Sequence, residues 1–422
     1  MPLASKNIVI LGGGYCGVRV AQKLARKLKS LQGFQIIVVD KHPLHLYAAD
    51  LYEIATAYYP QVTHACLREL KDSISLPFPG LFKGLPIQFL QDEVQSIAPD
   101  GHSLKLKKSG ALNYEYLVVT LGCVTSFYNI PGVEEKAFPL KTLNDGLALD
   151  CHFEELFQER KKAGDHSKLN VVIGGGGFTG VEYACELPGF IEKLAHKYGF
   201  EPKEVLITVV QGGPELVGLG SRVSQIALER FKKLGITALC NAKIMGYHDK
   251  KLEVQVQGET EARTISADVL VWTAGIKPNP LLKSFPKVDK NGYLEVGPTL
   301  EALHYPKVYA GGDNAAIFDA QHNANLPKLG ALAVQQAPVI AHNIVAAIED
   351  KAPTIYRPKF LGFIVSLGGK YFVYHREGFT LRGLIPWLMR RTFDLWYFAS
   401  LLPFKRALKK WWKTEQIFMQ ND

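Results

Sequence analysis

The stretch Asn7-Ile-Val-Ile-Leu-Gly-Gly-Gly-Tyr-Cys-Gly17 sets the reading of the whole chain. Its first half, Asn7 to Leu11, is a short apolar run rich in β-branched residues, the pattern of a buried parallel strand. Its second half places glycines at 12, 14 and 17. From Val18 to Leu28 apolar residues recur at helical spacing, with Arg19, Lys23, Arg26 and Lys27 outside. Physical chemistry accounts for the spacing: the first glycine permits a tight turn, the second lets backbone approach a pyrophosphate, and the third lets helix and strand pack closely. The next strand, Phe34 to Val39, ends at Asp40, 23 residues beyond Gly17, where a carboxylate can bond ribose hydroxyls. Glycine-rich turns also occur in α/β folds that bind no nucleotide. Here strand, helix and acid occur together, which favours binding through Gly12, Gly14, Gly17 and Asp40.

The pattern returns. Leu169 to Ile173 leads into Gly174-Gly-Gly-Gly177-Phe-Thr-Gly180, a helix follows through Val181 and Glu182, and Val205 to Val210 forms the next strand. Two such turns, 163 residues apart from Gly12 to Gly175, imply two nucleotide-binding lobes, one for a flavin and one for a nicotinamide cofactor. Gly175, Gly177 and Gly180 are the candidate contacts in the second lobe. At its ribose position stands Gln211 and not an acid. A carboxylate would repel the 2′-phosphate of NADPH and an amide would not, yet an amide can equally bond the ribose of NADH, so both cofactors stay open.

Tyr116–Gly122 and Val269–Gly275 are further strands ending in Thr and Gly, so each lobe is expected to return its chain to the nucleotide, at Gly122 and Gly275. Pro131-Gly132 and Pro139 mark one crossover and Lys277-Pro-Asn-Pro280 another. The expected organisation is a discontinuous first domain over 1–145 and 290–360, a second over 146–289, and a C-terminal region over 361–422. Val308-Tyr-Ala-Gly-Gly312-Asp313 supplies one more strand and acid in the first domain; Asp313 alone would also read as a helix N-cap.

Composition agrees with this plan. A chain of 422 residues, 47% hydrophobic, can bury two or three cores, and 49 Lys+Arg against 40 Asp+Glu permits an anionic partner without naming one. Six cysteines lack any CxxC or Cys/His ligand spacing, so a disulfide scaffold, a dithiol centre and a metal site are not expected. Met1 to Leu11 runs directly into the first strand, without the pattern of a secretory signal. Leu329 to Ile348 is uncharged, but Gln335, Gln336, Pro338, His342 and Asn343 would be costly in lipid, so a buried helix is expected.

The tail is different. Arg376 to Lys413 holds nine Lys/Arg and two acids, hence seven of the nine net positive charges, and four of the five tryptophans. Past Pro403, Phe404, Leu408, Trp411 and Trp412 share one helical face, flanked by Lys405, Arg406, Lys409, Lys410 and Lys413. This is the signature of a helix lying in a lipid interface. Arg390, Arg391 and Asp394 near the middle of Leu384–Leu402 argue against a membrane span and for peripheral attachment. A helix packed on the protein's own body, a dimer contact and a nucleic-acid stripe are the other readings of this segment; no nucleic-acid module appears elsewhere.

Both glycine turns, Phe178-Thr-Gly-Val-Glu182, Trp272-Thr-Ala-Gly-Ile-Lys-Pro-Asn-Pro280, Gly312-Asp313 and the Gln335-Gln336 helix together resemble the type II NADH dehydrogenases, from about residue 7 to the C-terminus. The resemblance implies FAD in the first lobe, NADH or NADPH in the second, and a membrane quinone as acceptor, without proton pumping. It implies that Gly12, Gly14, Gly17 and Asp40 hold the ADP part of FAD and that Gly312 and Asp313 meet its ribityl and pyrophosphate. It sets Glu182 near the reacting rings as the candidate catalytic residue, and Gln335 and Gln336 beside the quinone. The sequence departs from the family at Gly330-Ala331, where Ala-Gln is usual, which puts the quinone contacts in question. A peripheral protein on the cytoplasmic or equivalent inner face is implied, and a homodimer stays open. Two other functions remain: a sulfide:quinone oxidoreductase, which needs paired reactive cysteines, and a membrane-bound NAD(P)H-sensing flavoprotein with little turnover.

Overall fold

The computed structural model describes residues 6–27, 33–59, 64–320 and 323–419, so Leu28, the expected end of the first helix, lies outside them. The chain divides into two compact units: Met1–Tyr47, Ser75–Val124 and Ile276–Lys359 form the first, and Ala48–Ile74, Thr125–Gly275 and Phe360–Asp422 the second.

Each unit is built on a five-stranded, all-parallel sheet. In the first the order is Val308–Ala310, Tyr116–Val119, Lys6–Leu11, Phe34–Asp40, Ile87–Gln91. In the second it is Phe138–Pro139, Val269–Trp272, Leu169–Gly174, Val205–Val210, Ile236–Leu239. Helices covering both faces require the central strands to be apolar throughout, and Ile8, Val9, Ile10 and Leu11 are fully buried, as are Val171 and Ile173. Each unit also inserts a three-stranded antiparallel sheet, before Tyr116–Val119 in the first and before Val269–Trp272 in the second: Val94–Ala98, Ser103–Leu106 and Gly110–Asn113 in the first, Ala242–His248, Lys251–Val256 and Arg263–Ser266 in the second. The helix Gly330–Ile348 has the length and apolarity of a membrane span but is mostly buried, packed in the first unit against Tyr15–Lys27, as expected of a core helix.

The unit boundaries correct the expected ones. Residues 125–145 belong to the second unit because Phe138–Pro139 is its edge strand and because Trp272 donates its indole N–H to the Ser126 carbonyl at 2.8 Å. Residues 276–289 belong to the first, where Asn279 caps the turn Pro280–Ser284 and Phe285 packs edge-on to Tyr305. Nor is 361–422 a separate helical appendage. It opens with a three-stranded antiparallel sheet, Phe363–Ser366, Phe372–Arg376 and Phe379–Gly383, then forms the helices Leu384–Leu401 and Phe404–Phe418 inside the second unit.

Ion pairs hold those last two helices. Arg390 bonds Asp50 at 2.5 Å and Asp394 at 2.8 Å, while Arg391 reaches Glu415 at 3.1 Å and Glu53 at 3.4 Å. Arg390 and Arg391 are therefore internal, and the count of basic residues available to a lipid surface falls by two. Removing one partner from a buried pair leaves an uncompensated charge, which costs about 3–5 kcal/mol. Arg391→Met is expected to destabilise the second unit by that amount at pH 7 in urea titrations. Carboxyls that take up protons no longer need the guanidinium, so the loss should shrink at pH 5.

Candidate functional site

The two glycine turns are built bond for bond alike. Gly12 donates its N–H to Val39 at 2.9 Å and Gly175 donates to Val210 at 2.8 Å, each turning out of its strand at positive φ, +90° and +111°. The Thr120 hydroxyl lies 2.8 Å from the carbonyl oxygens of both Leu11 and Gly12; Thr273 repeats this with Gly174 and Gly175 at 3.1 and 2.9 Å. A Cβ at Gly17 would run into the Gly12 carbonyl, and one at Gly180 into the Gly175 carbonyl. Helix and strand can close only over glycine. By contrast, a Cβ on Gly14 or Gly177 meets nothing within 4 Å. That open approach to the start of the helices Tyr15–Lys27 and Phe178–Tyr198, where free N–H groups gather, suits a pyrophosphate in each unit.

Asp40 and Gln211 occupy equivalent places. Asp40 accepts from the Gly13 N–H at 2.7 Å and from the His42 N–H at 2.8 Å. Gln211 accepts from the Gly176 N–H at 2.9 Å and donates its amide to the Glu215 carbonyl at 3.1 Å. The amide thus takes over the turn contact of the acid without its charge.

In the first unit, Gly122 (φ +68°) donates to Asn314 at 3.1 Å, and Gly312 (φ +74°) donates to Gln336 Oε1 at 2.6 Å. Asp313 lies in the short turn Gly312–Asn314, capped by Gly311, and accepts the Cys123 thiol proton at 3.2 Å; it is not itself the N-cap. Gln335 bonds both the N–H and the C=O of Lys359 at 2.9 Å. Both glutamines are thus committed to backbone, one fixing the Gly312 turn and the other the chain near Lys359. In the second unit, Gly275 accepts from the Ser126 N–H at 3.0 Å, with the exposed Tyr128 ring over its Cα.

Glu182, one turn into the Phe178–Tyr198 helix, is buried and accepts from the Ser366 N–H at 3.3 Å. Burial pushes its carboxyl up to about 8, against the opposing pull of Arg390 and that hydrogen bond. Such an acid holds its proton near neutral pH and can donate or accept it. Burial likewise pushes Glu415 up to about 8 and raises Asp50, the latter helped by the Asp394 charge.

Several contributing residues carry no local sequence signal. His45 bonds the Gly13 carbonyl at 2.8 Å, and burial lowers it to about 4, so it is a neutral donor that steadies the first turn. Asn314, fully buried, ties Gly122 to the Val119 carbonyl. The threonines were visible as strand endings, but their bridging of two carbonyls was not.

On the lipid question, Leu384, Ile385, Leu388 and Trp396 form an exposed stripe on one helix, and Phe404, Leu408 and Trp412 another on the next. Trp411 departs from expectation and is half-buried. Lys410 is drawn inward as well, and burial lowers it to about 8 beside Asp72.

Residues 6–337 match the family described as pyridine nucleotide-disulphide oxidoreductase. The type II NADH:quinone oxidoreductase of Staphylococcus aureus is 26% identical over 394 residues, spanning 92% of this chain and 94% of that protein. Among solved structures, NDH2 of Plasmodium falciparum in complex with NADH has a TM-score of 0.82 at 18% identity, covering 99% of this chain and 97% of its own. The sulfide:quinone oxidoreductase of Aquifex aeolicus has a TM-score of 0.76 at 20% identity, covering 94% and 91%. With two turns of one design, each open to a pyrophosphate, and a family match over three-quarters of its length, the chain belongs to the pyridine nucleotide-disulphide oxidoreductase family.

Proposed function

We infer that this protein is a type II NAD(P)H:quinone oxidoreductase, a flavoprotein that takes hydride from NAD(P)H and passes two electrons to a membrane quinone without pumping protons. The duplicated turn, with Thr120 and Asp40 in one unit and Thr273 and Gln211 in the other, carries the reading. It provides one place for a flavin dinucleotide and one for a pyridine dinucleotide.

FAD would be held by Gly12, Gly14, Gly17 and Asp40, with Gly122, Gly312 and Asp313 toward its remaining parts. Gly175, Gly177, Gly180, Gln211 and Gly275 would hold the pyridine nucleotide. When bound, FAD supplies two-electron chemistry that no side chain here can perform. The chain's own residues do the rest: helix N-termini face the pyrophosphates, the two threonines lock the turns, and Glu182 holds a proton close to neutral pH. Gln335 and Gln336 serve the quinone region by positioning backbone. The sulfide:quinone alternative lacks support in the thiols, because the last cysteine is Cys240 and none follows it to pair near the flavin lobe.

Attachment is peripheral, to the cytoplasmic or equivalent inner face, through the two apolar stripes and the flanking Lys405, Arg406, Lys409 and Lys413. Truncating the tail would remove Arg390 and Arg391 and so confound the test. The variant Phe404→Ser/Leu408→Ser/Trp412→Ser changes exposed residues only. It should unfold like the native protein yet lose flotation with anionic liposomes; undiminished flotation would contradict the assignment.

The purified protein should be yellow, bleach on mixing with NADH and regain colour with a soluble quinone. Gly17→Ala should weaken flavin retention at least about tenfold, or about 1.4 kcal/mol. Gly180→Ala should keep its flavin but resist bleaching by NADH. Equal effects of the two variants on flavin content would refute the division between lobes. Gln211→Glu preserves the Gly176 contact and adds one charge, so the ratio of kcat/KM for NADH over NADPH should rise about tenfold; an unchanged ratio rejects the charge argument.

A further inference from the structure

Around Arg390 and Arg391, two guanidiniums face four carboxylates among the described residues: Asp50, Glu53, Asp394 and Glu415, with no side chain in the group more than 9% exposed. Glu182 and Tyr52 adjoin it. The buried Tyr52 hydroxyl lies in the field of Glu53 and of Glu182, and Glu182 in the field of Arg390 and Asp50. Full ionisation would leave two negative charges in excess, or three with Glu182, so a dry cluster of this make-up retains protons.

The proposed reaction needs such protons. Hydride from NADH carries two electrons and one hydrogen nucleus, whereas forming a quinol takes two electrons and two protons. The balance is NADH + H⁺ + quinone → NAD⁺ + quinol, so one proton per turnover comes from water. We propose that the acids around Arg390 and Arg391 form a relay, from Glu415 on the last helix to Glu182, that holds and supplies this solvent-derived proton. The relay rests on the function proposed above.

Glu415 is its outer member. Arg391, Asp394 and Arg390 act on it from the Leu384–Leu401 helix and Asp50 from the turn before Leu51–Ile54, while Glu53 pairs with the same Arg391. Beyond it the adjoining Thr414 hydroxyl donates to the Ser73 carbonyl, Lys410 lies near Asp72, and Lys413 pairs with Glu69 at the exposed surface of the same helix. Burial raises both Glu415 and Glu182 to about 8, so each can hold a proton at neutral pH, and the supply should fail as pH rises past that value.

Glu415→Gln keeps the shape and removes the titration, and stopped-flow mixing separates the two halves of the reaction. Bleaching by NADH should keep its native rate. Reoxidation by a soluble quinone should slow about tenfold or more above pH 7, with a larger solvent deuterium isotope effect, and Glu415→Asp should restore most of the rate. Infrared absorption of the protein without NADH should show a protonated-carboxyl band at pH 7 that weakens in Glu415→Gln. Reoxidation with native rate, pH profile and isotope effect would overturn the relay. So would a band unchanged by the substitution. If Glu415→Gln does not fold, Glu415→Asp is measured in its place, and native reoxidation rate, pH profile and isotope effect there, with an unshifted carboxyl band, would equally overturn the relay. Native protein that quinone fails to reoxidise would instead sink the function on which the relay rests.

Discussion

One steric constraint governs both units: the carbonyl oxygen of the first turn glycine lies where any Cβ at the third would have to be. Gly12 against Gly17 and Gly175 against Gly180 let the helix start directly beside the strand end, which aims its free N–H groups at a single point. The threonine of the neighbouring strand then bridges the carbonyls that the turn leaves exposed. Strand order follows, because a helix entering so tightly must cross over the sheet in the right-handed sense to reach the next parallel strand. Asp40 and Gln211 stand where they do as a consequence, at the end of that second strand.

The duplication makes the difference between those two residues informative. Both accept the N–H of the residue after the first glycine, so the turn itself is indifferent to which is present. A charge is not indifferent to a ligand. A carboxylate and one phosphate charge about 4 Å apart repel by about 1 kcal/mol in water and about 4 kcal/mol at an effective dielectric near 20, which disfavours a 2′-phosphate about tenfold or more. Gln211 keeps the hydrogen bond to the turn in the second unit and brings no charge of its own to that position.

What could be read from the chain was local in origin. Strand, turn, helix and acid lie within about 30 residues, and their apolar periods and glycine spacings need no distant partner to be interpreted. Misreadings arose where meaning depends on remote residues. Arg390 and Arg391 counted as basic residues of a lipid-facing tail, yet their partners Asp50 and Glu53 lie more than 300 residues earlier, and no periodicity in the tail announces them. The edge strand Phe138–Pro139 is two residues long, too short to leave a pattern in the sequence that would assign it to the second unit. The Gln335-Gln336 pair was legible as amides but not as to what they hold.

The acid surplus around the two arginines also explains why the tail is a structural part of the second unit and not a detachable anchor. Protonating an ordinary glutamate at pH 7 costs about 3.7 kcal/mol, whereas two carboxylates about 4 Å apart at an effective dielectric near 20 repel by about 4 kcal/mol. The terms are close, so the cluster keeps some acids neutral, and each neutral acid can still hydrogen-bond a guanidinium. The last helix therefore spends one face, Ala407, Thr414, Ile417 and Phe418, on the protein body beside Glu415. Phe404, Leu408 and Trp412 are left exposed on another face. The same helix therefore carries one apolar face that the protein body covers and one that it leaves at the surface.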